Sequence, residues 1–126
     1  MRWLEYSTVF DQGMVFLRLT DEGGVAVSRS GGNPYATIEP WKTTATIEAT
    51  RARRLIDDVI AAKLEAKPQF KDLLRPGEQV LSIKVGSGDA TLVTRHYRFN
   101  EIHGDLVTIA AALDALVVEL RPKGKR

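Results

Sequence analysis

Twice along this chain, alternating apolar residues fold back on themselves at a glycine turn and then give way to apolar residues at helical spacing. That change of period, from strand to helix, constrains the fold more than any other feature. A strand with one apolar face needs a cover, and a helix with one apolar stripe needs a surface to lie on. The arrangement that satisfies both is an α+β fold of two layers: a mainly antiparallel sheet of about five strands with two helices packed on one face. The second sheet face is then open to water or to a partner.

Residues 3–10 alternate loosely and read as a first strand or an ordered lead-in. Met14 to Thr20 alternates strictly, with Val15, Leu17 and Leu19 on one face. Asp21-Glu22-Gly23-Gly24 supplies a hairpin turn, because glycine accepts the positive φ that tight turns demand. Val25 to Ser30 returns alongside. Tyr35 to Glu39 and Thr43 to Glu48 read as a third strand, which Pro40 marks as an edge, a bulge or a break. Thr50 is the expected N-cap of a first helix, whose stripe is Leu55, Ile56, Val59, Ile60 and Leu64. Arg53 with Asp57, and Arg54 with Asp58, have the spacing of helical ion pairs. Pro68 limits this helix, and Phe70, Leu73 and Leu74 are expected to tuck a short helical turn onto the core.

The second half repeats the plan without repeating the residues. Val80 to Val85 and Ala90 to Phe99 flank the turn Gly86-Ser87-Gly88-Asp89. A closing helix is expected from about Asp105 to Leu120, with Leu106, Ile109, Ala110, Leu113, Leu116, Val117 and Leu120 as its stripe. It is the more apolar of the two and so the one expected to be more buried. The domain is expected to span residues 1–120, followed by a basic tail over 121–126.

Asp21-Glu22-Gly23-Gly24-Val25, Leu55-Ile56, the run from Leu81 to Leu92, and Leu113-Asp114-Ala115-Leu116 occur in this order over most of the chain. In layout the chain resembles a loose group of small bacterial domains of unknown function. The cysteine-bearing start of some of those domains is absent. The resemblance implies a fold plan and no activity.

Composition narrows the chemistry. The chain has no cysteine, which removes disulfides, thiolate catalysis and thiolate-held zinc or iron–sulfur centres. Its longest apolar stretch, Leu106 to Leu120, is broken by Thr108, Asp114 and Glu119 and falls short of the roughly 20 residues a membrane span needs. The N-terminus lacks the unbroken apolar core of a signal peptide, so a cytoplasmic location is expected. The net charge of +2 belongs to the tail. Arg121, Lys123, Lys125 and Arg126 carry four positive charges, which leaves the rest of the chain at −2. A basic nucleic-acid-binding domain would carry that charge on its folded surface.

No motif carries a recognisable catalysis. Gly86-Ser87-Gly88 opens a strand, whereas a phosphate-binding loop must open a helix. Gly31-Gly32-Asn33-Pro34 reads as a loop. Asp57 and Asp58, adjacent on a helix, diverge by about 100° and cannot share a proton or a metal well. The two histidines, His96 and His103, match no ligand spacing, and no serine has a nucleophile elbow. No cofactor or metal is expected.

The run Arg95-His96-Tyr97-Arg98-Phe99 sets cations beside aromatics, with Arg95, Tyr97 and Phe99 on one strand face and His96 and Arg98 on the other. Trp3 and Trp41 stand outside the clear stripes, and tryptophan is enriched at interaction hot spots. Trp3, Tyr35, Trp41, Arg95, Tyr97 and Arg98 are therefore the candidate interaction surface. The expected function is a small cytoplasmic binding or accessory module acting through a partner protein or a small homo-oligomer. Two alternatives stay open. One is single-stranded nucleic-acid binding through Arg95, Tyr97, Arg98 and the tail, by stacking and phosphate contact. The other is a small enzyme or ligand carrier with a pocket between sheet and helices that contains His96 or His103.

Overall fold

A computed structural model describes residues 1–10, 13–31, 40–66 and 78–121. Along the chain run strands β1 (Arg2–Phe10), β2 (Gly13–Thr20), β3 (Gly24–Gly31) and β4 (Trp41–Thr46), then helix α1 (Ala49–Ala61) and a short 3₁₀ turn, Leu64–Ala66. Strands β5 (Val80–Ser87) and β6 (Ala90–Arg98), a second 3₁₀ turn and helix α2 (Asp105–Leu120) complete it. The six strands form one sheet in the order β4-β3-β2-β1-β5-β6, and every neighbouring pair is antiparallel. The α+β class and the two helices agree with the sequence reading; the strand count is six rather than about five.

The difference comes from β1. Its first residues are no lead-in: β1 lies inside the sheet, paired with β2 on one side and β5 on the other. Leu4, Tyr6 and Thr8 point to the helices and are buried. Across the sheet, Tyr6 sits between Leu17 and Ile83, and Leu4 between Leu19 and Val85. The same layer continues through Val25 and Val27 on β3 and Leu81 and Tyr97 on β5 and β6. Ile56 and Val59 of α1 and Leu106, Ile109, Leu113 and Leu116 of α2 close over it. Each fully buried leucine or isoleucine contributes about 1.5–3 kcal/mol, so this one layer supplies most of the driving force.

The turns follow their residues. Gly23, at φ +99°, ends the β2–β3 turn, and its N–H donates to the Thr20 carbonyl at 3.0 Å. Gly23 O then accepts from Ile47 N–H at 2.9 Å, which ties the turn to the chain entering α1. Among the described residues β4 is an edge strand, and it begins directly after Pro40, which has no N–H to give a ladder.

Helix α1 starts at Ala49, with Glu48 rather than Thr50 at the N-cap and no side-chain cap. Glu48 O accepts from Ala52 N–H at 3.0 Å, so the first turn is already closed before Thr50. Asp57 pairs with Arg2 at 2.6 Å, and Arg53 Nε donates to the Asp21 carbonyl, so these two side chains tie α1 to the sheet. α2 has its expected bounds and buries more than α1. Arg51 and Glu119 join the two helices through two N–H···O contacts of 3.0 and 2.8 Å. The expected strand at 35–39, the turn around Phe70, Leu73 and Leu74, the stop at Pro68 and the tail beyond Arg121 lie outside the described residues.

Candidate interaction surface

The side of the sheet away from the helices is a continuous polypeptide face. On β1, Trp3, Glu5, Ser7 and Val9 point outward, alternating with the buried set. Their neighbours follow from the register. Trp3 lies between Thr20 and Gly86, Glu5 between Arg18 and Lys84, Ser7 between Phe16 and Ser82, and Val9 between Met14 and Val80. One end of the face is therefore apolar, formed by Val9, Met14, Phe16 and Val80, and Val9 is 42% exposed. The middle is charged: Arg18 pairs with Glu5 at 2.6 Å.

Trp3 belongs to this side yet is only 7% exposed. Its indole N–H donates to Gly88 O at 2.8 Å, and Arg18 lies over its ring, 4.9 Å from the centroid. Gly86 makes room beneath, since a Cβ there would run into the indole and the Ala90 carbonyl. The Gly86-Ser87-Gly88 sequence is thus a hairpin turn that grips the N-terminus; Gly88 N–H also donates to Met1 O at 2.8 Å. Trp41 lies on the helix side of edge strand β4, opposite Arg29, half-buried against the core. Tyr35 is outside the described residues.

The β6 residues divide between the two faces as their alternation requires. Tyr97, opposite Leu81, is buried under the helices at 6% exposure, and its hydroxyl donates to Leu64 O at 3.3 Å. Burial raises its pKa. Arg95 faces the same way and spends its guanidinium on three carbonyls, of Leu64, Thr94 and Glu65, at 3.1–3.4 Å. Arg98 faces the open side and is paired with Glu78, with Glu101 at 3.8 Å. The five described candidates therefore do not form one patch. Trp3 and Arg98 share the open side, while Trp41, Arg95 and Tyr97 belong to the helix side.

The histidines also separate. His96 is exposed on the open face with Nδ1 2.7 Å from Ser82 Oγ; His103 is exposed in the approach to α2. Among the described residues no three His, Asp or Glu side chains gather in a group that could hold a metal ion. A cleft of about 320 Å³ opens between α1 and α2, not between sheet and helices. Leu55, Val59, Ile109 and Leu113 line it, with Asp58 and Asp105 as its acids and no histidine. Among the described residues no helix is long and apolar enough to cross a membrane.

Sequence reasoning missed Leu92, which stands 63% exposed on β6 where the register with β5 shifts. β6 is also a free edge among the described residues, bonded to β5 alone. The signal was the glycine hairpin itself, since the second strand of a terminal hairpin is an edge unless something adds to it. No protein-family model matches the chain, and no curated protein matches it.

Proposed function

We propose that this chain is a cytoplasmic protein-interaction module that self-associates through the side and edge of its sheet that the helices leave uncovered. The observation that supports this reading is the one-sidedness of the sheet. The helices cover one face, while the other keeps an apolar end where exposed Val9 lies beside half-buried Met14 and Phe16, and the β6 edge keeps Leu92 exposed. An apolar patch on an uncovered sheet face and an exposed leucine on an edge strand both favour association with another chain.

The alternatives lose their motivation on specific residues. A stacking platform needs Tyr97 exposed and its arginines available, but Tyr97 is buried and Arg95 and Arg98 are engaged within the fold. A histidine-based pocket needs His96 or His103 in a cavity, and neither lines the cleft.

Light scattering over a concentration series tests the proposal. The expected mass rises above that of the monomer, and Leu92→Lys or Phe16→Glu lowers it at equal concentration. Ile60→Lys, on the helix side, leaves it unchanged. A monomer at every concentration, or sensitivity to Ile60→Lys alone, overturns the proposal.

A further inference from the structure

The helix layer is closed at one end and open at the other. Arg51 and Glu119 tie the start of α1 to the end of α2, while the cleft of about 320 Å³ separates the second half of α1 from the first half of α2. That volume falls at the low end of the roughly 300–1,000 Å³ of small-ligand sites. Leu55, Asp58 and Val59 of α1 line it at i, i+3 and i+4, and Asp105, Ile109 and Ala112 of α2 at i, i+4 and i+7, so each set lies on one helix face. Ala112 keeps the gap open where a longer side chain would fill it.

The lining joins apolar walls to two acids and no base. Neither Asp58 nor Asp105 has an ion pair or hydrogen bond among the described residues, and the Arg54 pairing that the sequence suggested for Asp58 is not formed. Asp105 opens α2, where the helix dipole favours an anion. Asp58 stands in the last turn of α1, where the dipole favours a cation, and that turn has no basic residue. Its charge is therefore uncompensated by its own helix.

The spacing of the acids selects the ligand. With Arg51 level with Glu119 in antiparallel helices, Asp58, seven residues on from Arg51, is level with Ala112, seven before Glu119. Asp105 lies seven residues beyond Ala112. At about 1.5 Å per residue the two acids are attached about 10 Å apart along the cleft. That is too far to share one metal ion. An anion would meet two carboxylates and no cation. We propose that the cleft binds a linear aliphatic diamine as its dication, with one ammonium at Asp58, the other at Asp105, and the methylenes along Leu55, Val59 and Ile109. An extended chain advances about 1.2 Å per bond, so about eight methylenes span the two acids.

Isothermal titration of the full chain with octamethylenediamine, at low ionic strength where screening is weakest, tests the proposal. Saturable one-to-one binding is expected. Octylamine has one ammonium, and tetramethylenediamine is too short to reach both acids; each is expected to bind about two- to fivefold more weakly, as loss of one partly exposed ion pair requires. Asp58→Asn and Asp105→Asn should each weaken octamethylenediamine by a similar factor, while Asp89→Asn, exposed in the β5–β6 turn, leaves it unchanged. Ala112→Leu fills the cleft but keeps both acids, and is expected to abolish binding. Absence of saturable binding overturns the proposal. So does indifference to both cleft aspartates, or octylamine binding as tightly as the diamine. Undiminished binding to Ala112→Leu overturns it too, because surface charge alone would then hold the amine.

Discussion

From the buried face of β1, the Tyr6 hydroxyl donates to a helix carboxylate, Asp114, at 2.7 Å across 108 residues. Tyr6 is fully buried, and burial, then Asp114, pushes its pKa far up, so it is a donor at every accessible pH. Tyr6→Phe leaves the Asp114 carboxyl half-buried without that donor, and is expected to cost about 1–3 kcal/mol, seen as a lower urea midpoint at unchanged slope. Asp114 itself has its pKa raised by burial, an effect that the Tyr6 hydrogen bond only partly offsets. A carboxyl with its folded pKa above its unfolded value contributes fully below the unfolded pKa and loses that contribution as pH climbs through the folded one. Asp114→Asn keeps an oxygen acceptor for Tyr6 and carries no charge. Relative to wild type it should therefore gain stability as pH rises through and above the ordinary aspartate range toward neutrality, where Asp114 must ionise while half-buried. Thermal midpoints of both proteins across that range check the sign; a gap that narrows toward neutrality would contradict it.

Among the elements, α2 was the most legible and β1 the least. α2 carries Leu106, Ile109, Ala110, Leu113, Leu116 and Val117 on one face, and all six are buried, because a local period of 3.6 encodes its own inner side. Leu113→Ala is therefore expected to cost about 2–5 kcal/mol, and Val118→Ala, on the exposed side, less than about 0.5 kcal/mol, by chemical denaturation. β1 resists such reading. Its inward set is Leu4, Tyr6 and Thr8, of mixed polarity, and its outward set includes Trp3. What makes Tyr6 acceptable inside comes from another element, Asp114 of α2. The face that each candidate residue takes was hidden for a related reason. Alternation correctly divides Arg95 and Tyr97 from His96 and Arg98, but it does not say which set meets the helices. Only the register of Tyr97 with Leu81, and of Leu81 with the rest of the buried layer, decides that.

At the scale of the whole molecule, β1 joins two hairpin systems. On one side stand β2, β3 and β4, and on the other β5 and β6. Without residues 2–9 the sheet divides into three strands and two, with Leu17, Leu19, Leu81 and Ile83 left facing a gap. A chain lacking those residues is expected to show no cooperative thermal transition by circular dichroism. A sharp transition would mean that the core survives without its central strand.

The place of β1 has a consequence for the order of synthesis. It leaves the ribosome before the other five strands, but the residues that cover its second side begin at Val80. At about 5–20 residues per second, roughly 4–15 s pass between the two. In the later part of that interval, once β4 is made, the meander β4-β3-β2-β1 has β1 as a bare edge and lacks the apolar cover of α2. The nascent domain is therefore at its most adhesive once β4 has been made, and β5, β6 and α2 are the elements that seal it.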